Sequence, residues 1–179
     1  MLEQIEPGNF DREGLKDTPV RVAKAFKHWF SGYNQKPEDV LKVFEEAGHH
    51  YDEMIFQANL PVNSFCEHHM APFFGVAHIA YIPGEKGIVG LSKLKRLVDI
   101  FAHRLQVQER MTNQIVDALF KHLDAKGAGV LVRCRHRCME SRGVCIAGTW
   151  TTTTAFRGAM FQDAKARSEF LALAAEANK

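Results

Sequence analysis

One thiol and two imidazoles lie within four residues of each other in the segment Cys66-Glu67-His68-His69. Soft sulfur and nitrogen ligands at this spacing suit zinc. The segment holds too few ligands to close a metal site by itself. A second sulfur and imidazole pair, His136 and Cys138, follows about seventy residues later. We therefore expect the fold to bring the two segments together around one metal ion.

The second segment is predicted to lie on a β-strand over residues 129–139. Side chains alternate across a strand, so Cys134, His136 and Cys138 would share one face and the intervening arginines the other. Spacing alone leaves five or six candidate ligands. A catalytic zinc has three protein ligands and an open position for water, whose pKa it lowers. Spare histidines beside it, such as His68 and His136, can act as acid or base near pH 7.

Two other interpretations of these residues stay open from the sequence. The cysteines and histidines could form a buried cluster without a metal. They could also close around a structural zinc, which has four protein ligands and no catalytic position. Spacing does not decide between the three.

Two further segments could bind a substrate. Ser92 opens a predicted helix, and Lys93 and Arg96 follow on one face, an arrangement that suits an anion such as phosphate. Gln108 and Glu109 place an amide beside a carboxylate, and such a pair can hydrogen-bond the donor edge of guanine. Each signal is weak alone, because charged residues in helical first turns are common.

The composition is that of one ordinary folded domain. The chain has 179 residues, of which 46% are hydrophobic and 25% charged, and its net charge of +2 is too small to indicate nucleic-acid binding. No apolar run is long enough for a transmembrane helix, and the acidic first residues do not resemble a secretory signal. We therefore expect no membrane partner and a cytoplasmic location, where cysteines stay reduced.

Hydrophobic periodicity predicts an α+β fold whose elements position these segments. Residues 1–16 are expected to form an irregular N-terminal arm, and residues 17–179 a single domain. The predicted order is a helix over about 18–31, a short helix from residue 37, strands over 51–63 and 74–82, two long helices over about 91–105 and 111–123, a hairpin of strands 129–139 and 144–156 with its turn at Arg142-Gly143, and a helix over 164–177.

Together the segments closely resemble GTP cyclohydrolase I. The matching motifs, in the same order, are Cys66-Glu67-His68-His69, Gly90-Leu91-Ser92-Lys93, Gln106-Val107-Gln108-Glu109-Arg110, His136-Arg137-Cys138 with Arg142-Gly143, and a threonine-rich strand. The resemblance runs from about Asp17 to the C-terminus. It implies a tunnelling fold, in which an antiparallel sheet carries two long antiparallel helices on one face and the sheets of several subunits join into a barrel. It also implies a homodecamer of two stacked pentamers, with active sites between subunits.

The same resemblance implies a reaction and its catalytic residues. GTP and water would become 7,8-dihydroneopterin triphosphate and formate, a first step toward folate, biopterin or 7-deazaguanine compounds. Cys66, His69 and Cys138 resemble the zinc ligands. His68 and His136 resemble the acid–base histidines, one of which would protonate N7 of guanine while water adds to C8.

Residues that would contact GTP are implied by the resemblance as well. Ser92 resembles the residue that assists the later rearrangement of the opened ribose. The guanine edge would be contacted by Gln108 and Glu109, and the triphosphate by Lys93, Arg96, Arg142 and Arg21.

The chain departs from the family pattern in a few places. The N-terminal arm is shorter than in many members. Cys134, Arg135 and Arg137 stand where small or less charged residues are usual. On the opposite strand face, the two arginines would meet a neighbouring subunit.

Two other possible functions would require different sets of residues. Another tunnelling-fold enzyme, acting on a related purine or pterin, would be expected to lack one of the metal or triphosphate elements. A zinc-stabilised oligomeric binding module would not need the Ser92-Lys93 segment together with Gln108 and Glu109.

Overall fold

The computed structural model describes residues 1–44 and 51–177. Its α-helices are α1 Leu2–Ile5, α2 Thr18–Trp29, α3 Pro37–Val40, α4 Leu91–Ala102, α5 Gln108–His122, α6 Arg137–Glu140, α7 Ala159–Gln162 and α8 Ala164–Glu176. Its strands are β1 Val43–Phe44, β2 Ile55–Cys66, β3 Pro72–Ile82, β4 Ile88–Val89, β5 Leu105–Gln106, β6 Gly127–His136 and β7 Thr151–Gly158. Within these two ranges, no helix is long and apolar enough to cross a membrane.

Five of the strands form one sheet, in the order β5-β2-β3-β6-β7. The pairs β2/β3, β3/β6 and β6/β7 are antiparallel, whereas the short β5 runs parallel to the end of β2. Strands β1 and β4 form a separate two-stranded ladder. The central sheet is therefore antiparallel apart from one short edge pair, in agreement with the predicted architecture.

The two long helices cover one face of this sheet. Helix α4 packs against β2, and α5 packs against β6 and β7. Apolar residues recur at intervals of three and four along both helices, so that they face the sheet. The fully buried ones include Leu94, Leu97, Met111, Ile115 and Leu119. This layer forms the main core, and α8 contributes Phe170 and Ala174 to a second, smaller cluster.

The connection between β6 and β7 differs from the predicted hairpin. Strand β6 ends at His136, and the next four residues form α6, so Cys138 lies on a helical turn instead of a strand. Strand β7 begins only at Thr151. The predicted strand bounds were therefore wrong, because α6 is stabilised by side-chain contacts of Glu140 that hydrophobic periodicity does not reveal. The two strands do pair antiparallel, and a turn does occur at Arg142-Gly143, where the N–H of Cys145 donates to the carbonyl of Arg142 at 3.3 Å, but it lies within a longer connection. The predicted irregular arm likewise contains the one-turn helix α1.

The segment that follows α2 is fixed to the end of α4. The N–H of Gly32 donates to the carbonyl of His103 at 3.1 Å, and the guanidinium of Arg104 donates two hydrogen bonds to the carbonyl of Gly32. A Cβ at position 32 would lie 2.1 Å from the carbonyl oxygen of Ile100, so glycine is required for this close approach. The contact fixes the end of α4 just before β5, which leads to the site.

Candidate functional site

Two cysteines and a histidine from separate parts of the chain lie together at one end of the sheet. Cys66 ends β2, His69 lies in the turn that follows, and Cys138 lies on α6. One ligand atom from each lies within 4.8 Å of the others. Among the residues that the structure describes, this is the one group of three or more such side chains that could hold a metal. Two thiols and an imidazole suit zinc, and three protein ligands leave one position open.

The turn after β2 presents two histidines beside Cys66. The N–H of Cys66 donates to the carbonyl of Ala71 at 2.9 Å, and its carbonyl accepts from the N–H of Met70 at 2.8 Å. Met70 adopts a left-handed conformation, with φ of 51°, which tightens the turn. Both His68 Nδ1 and His69 Nδ1 lie 3.7 Å from the Cys66 sulfur, but only His69 belongs to the group that includes Cys138.

The thiol of Cys138 resists ionisation in the absence of a cation. The pKa of Cys138 is raised, mainly because burial desolvates the thiolate and then because Cys66 lies beside it, whereas Arg142 acts in the opposite direction. A metal ion supplies the positive charge that stabilises neighbouring thiolates. All four cysteines of the chain are free, as expected for reduced thiols.

Cys134 lies apart from Cys66, His69 and Cys138, which together we call the metal-ligand group because they could hold a metal. It is fully buried in the main core and pairs with Gly75 of β3. Burial raises the pKa of its thiol to about 12. Cys134 is therefore a packing residue in this fold, and the sulfurs of the group that could hold a metal are those of Cys66 and Cys138.

His136, the last residue of β6, is fixed on two sides. Its ring stacks on Phe73, with centroids 4.7 Å apart and planes inclined by 14°. Its Nε2 lies 2.8 Å from the side-chain oxygen of Gln108, at the start of α5. Burial lowers the pKa of His136, although Glu109 and Glu140 oppose this effect. The imidazole is therefore neutral near pH 7, the form that accepts a proton.

The side chain of Gln108 is buried and fully oriented. Only 2% of the residue is exposed. Its amide nitrogen donates at 3.1 Å to three acceptors, the carbonyls of Val132 and Thr151 and the hydroxyl of Thr153. Because the nitrogen end meets only acceptors, the oxygen end must face His136, whose Nε2 therefore carries a hydrogen. Nδ1 of His136 is left as the atom that gains or loses a proton.

A cavity of about 230 Å³ adjoins the metal-ligand group. Its lining residues are Cys66, His68, Phe73, Gln106, Val107, Gln108, Glu109, His136 and Cys138. Six of them are residues that the sequence singled out for catalysis, guanine binding or metal binding. The cavity thus combines the group that could hold a metal with two histidines and one carboxylate.

The remaining sequence-predicted residues do not line this cavity. Ser92 and Lys93 lie at the start of α4, whereas the other end of that helix leads to β5 beside Cys66. At 1.5 Å per residue, the helix separates Ser92 from His103 by roughly 16 Å. Arg96 lines a different cavity, together with His28 and His103.

Two arginines that resemble triphosphate-binding residues have partners within the chain. Arg142 places Nη1 at 2.9 Å from Nε2 of His69, and therefore lies at the edge of the metal-ligand group. Arg21 lies on α2 and forms an exposed ion pair with Asp17 at 3.4 Å. Only Arg142 of these two is beside the cavity residues in the protomer.

Comparisons with known proteins converge on one family. Residues 1–175 match the family model described as GTP cyclohydrolase I. A protein of Janthinobacterium sp. (strain Marseille) named GTP cyclohydrolase 1 is 56% identical, over 94% of this chain and 84% of its own length. Proteins of the same name from Nitrosospira multiformis and Campylobacter lari are 55% and 49% identical, over 91% and 97% of this chain and 85% and 90% of their own lengths.

Substitution of Cys138, which is half-buried, and of Cys134, which is buried, distinguishes a candidate metal ligand from a packing residue. We expect Cys138→Ser to lose most of its zinc, because a neutral hydroxyl replaces one of three ligands. Cys134→Ser is the matched control and should keep about one zinc ion per chain. Metal content after extensive dialysis measures both. Stoichiometric zinc in Cys138→Ser would contradict the ligand assignment.

Proposed function

Because the chain belongs to the GTP cyclohydrolase I family, we propose that it hydrolyses GTP with bound zinc to give formate and 7,8-dihydroneopterin triphosphate. Its antiparallel sheet with two long helices on one face is the tunnelling fold of that family. The observation that carries the proposal is one cavity lined by two thiols, two histidines and Glu109, with His69 within 4.8 Å of both thiols. The product would serve folate, biopterin or 7-deazaguanine synthesis.

Zinc would be held by Cys66, His69 and Cys138. When bound, it supplies the Lewis acidity that makes water nucleophilic at neutral pH. The donor set supports this choice of metal, since two sulfurs and one imidazole are typical zinc ligands. The ligand sulfurs must stay reduced, which is why we expect the protein to work in the cytoplasm.

His136 and His68 would carry the protons of the reaction. A histidine that delivers a proton to N7 of guanine makes C8 more electrophilic, and hydrolysis of the opened ring then releases formate. His136 is suited to proton transfer because Phe73 and Gln108 fix its ring and leave Nδ1 free to exchange a proton. His68 lines the same cavity and is the second candidate.

Glu109 would recognise the guanine base. Its carboxylate lines the cavity and can accept hydrogen bonds from the donor edge of guanine. The sequence predicts the same task for Gln108, but the polar atoms of that side chain already bond to His136 and the neighbouring strands. We therefore propose that Gln108 orients His136 and that Glu109 contacts the base.

A neighbouring subunit would complete the site. Ser92 and Lys93 lie at the end of α4 remote from the cavity, so they would serve the cavity of another copy. Strand β7 is an edge strand, and β2 is paired on its outer side only at its last two residues. Open edges of this kind favour pairing with another chain. These features support the assembly that the family resemblance implies, a decamer of two stacked pentamers with Lys93, Arg96, Arg142 and Arg21 around the triphosphate.

Formate release tests the proposed reaction. We expect zinc-loaded protein to convert GTP into one equivalent of formate and a product that fluoresces after oxidation. Protein stripped of zinc by a chelator should be inactive and should recover when zinc is restored. ATP is the control substrate, since its base lacks the donor edge that Glu109 would contact. An absence of formate from fully zinc-loaded protein would overturn the proposal.

The kinetics of variants at Gln108 and Glu109 distinguish a residue that orients His136 from a residue that contacts the guanine base. Gln108→Leu should lower kcat by about 100-fold, the scale of acid–base catalysis, and leave KM for GTP nearly unchanged. Glu109→Gln should mainly raise KM, because it weakens the contact with guanine. Steady-state rates at saturating zinc measure both variants. A raised KM with unchanged kcat in Gln108→Leu would instead make Gln108 a guanine contact.

Mixed oligomers test whether the site is shared between subunits. Lys93→Ala and His136→Ala should each be nearly inactive alone. When the two chains are co-expressed, some sites would combine an intact Lys93 from one subunit with an intact His136 from another. We therefore expect the mixed oligomer to recover activity well above the sum of the two variants. No recovery in verified mixed oligomers would place both residues in one protomer's site.

A further inference from the structure

The loop that joins α6 to β7 contributes almost nothing to the core. Arg142 within this loop and Cys138 just before it nevertheless both contact residues of the metal-ligand group. Residues 141–150 are all exposed in the protomer. Cys138, just before this loop, reaches Cys66, and Arg142 within it reaches His69. Cys138 packs in part against the main core, but apolar burial does not explain how Arg142 is positioned.

One shielded carboxylate ties the loop to the end of β6. Glu140 accepts a hydrogen bond at 2.7 Å from Nε of Arg135 and another at 2.8 Å from Nη1 of Arg137. The backbone N–H of Gly148, eight residues later, also donates to this carboxylate at 3.3 Å. Only 3% of the Glu140 side chain is exposed, although the residues that follow it are open to solvent. Charge-assisted hydrogen bonds of this kind are about twice as strong as neutral ones.

Aromatic rings support the arginines at both ends of the loop. The guanidinium of Arg137 lies over the ring of Phe74 on β3, 5.2 Å from its centroid. At the other end of the loop, the guanidinium of Arg133 lies over Trp150 at 4.7 Å. Both contacts have the geometry of cation–π interactions. Arg135 and Arg137, which the sequence analysis expected to meet a neighbouring subunit, thus have partners within the protomer.

We propose that Glu140, bound by Arg135 and Arg137, is a positioning residue that fixes Cys138 as a zinc ligand and Arg142 as a triphosphate contact. The connection is short, because Cys138 lies two residues before Glu140 and Arg142 two residues after it. The helical turn between them is closed by the N–H of Ser141, which donates to the carbonyl of Arg137 at 2.9 Å. The zinc part of this inference depends on the metal-ligand group alone, whereas the triphosphate part rests on the proposed function.

Glu140→Gln is the direct test, because it preserves the volume of the side chain but removes the charge that attracts both guanidinium groups. We expect zinc affinity, measured by competition with a chromophoric chelator, to fall about tenfold, as for other residues that orient metal ligands. Cobalt-substituted protein should show a weaker sulfur-to-metal absorption band. With zinc saturating, KM for GTP should rise while kcat changes little, since Arg142 binds substrate but performs no proton transfer.

Two control variants distinguish an effect on the positions of Cys138 and Arg142 from a general loss of protein stability. Asp117→Asn breaks another carboxylate–arginine pair, in which Arg157 donates at 2.7 Å far from the metal-ligand group, and it should leave zinc affinity and KM unchanged. Glu140→Asp keeps the charge and should recover part of the zinc affinity. The double variant Arg135→Gln/Glu140→Gln should bind zinc no more weakly than Glu140→Gln, because the two residues act through one interaction.

Wild-type zinc affinity and KM in Glu140→Gln would overturn the inference. A lower melting temperature with unchanged zinc affinity and KM would also overturn it, since that result describes a purely structural residue. If Glu140→Gln does not fold, Arg135→Gln replaces it in the same measurements, because this variant removes the other member of the ion pair. If wild-type protein binds zinc but releases no formate, the proposed function fails. The chelator competition would still decide whether Glu140 positions Cys138 for zinc binding.

Discussion

The antiparallel alignment of β2, β3 and β6 is the constraint on which the site depends. Strand β2 ends at Cys66 and β6 ends at His136, and both ends flank the beginning of β3, where Phe73 pairs with His136. The turn after β2 and the helical turn after β6 therefore emerge at the same end of the sheet. The candidate ligands Cys66 and Cys138, some seventy residues apart in the sequence, therefore lie together at that end without a long connecting segment.

The same alignment positions His136, for which we propose proton transfer, and the residues that hold its ring. Phe73 supplies the ring on which His136 stacks, and α5 covers β6 and β7 so that Gln108 reaches His136 from the helix layer. One end of the sheet thus carries soft ligands, a neutral imidazole and a carboxylate around a small cavity. That combination suits hydrolysis of a purine better than a closed structural metal site, which has no need of the oriented imidazole.

Much of this arrangement could be predicted from the sequence, although not always for the right reason. The long helices α4 and α5 were predictable because their apolar spacing persists over three turns or more. Strand alternation predicted that Cys138 would face the first segment, and the two do meet, but Cys138 reaches Cys66 from a helical turn. That turn depends on contacts of Glu140 with two arginines, which no local pattern reveals. The side-chain hydrogen bonds of Gln108 were missed for the same reason, since they join a helix to four positions on two strands. The hydrophobic pattern also cannot indicate which residues another subunit would supply, the role that we propose for Ser92 and Lys93.

We propose that two sulfurs and one nitrogen of this chain bind a zinc ion that keeps an open position. X-ray absorption at the zinc edge of the purified protein would identify the atoms around the metal. We predict two sulfur neighbours at about 2.3 Å, together with nitrogen and oxygen neighbours at about 2.0–2.1 Å, one of which is replaced when an anion such as azide or a substrate analogue binds. A shell of four protein ligands that does not change with any added ligand would describe a closed structural site and contradict the account.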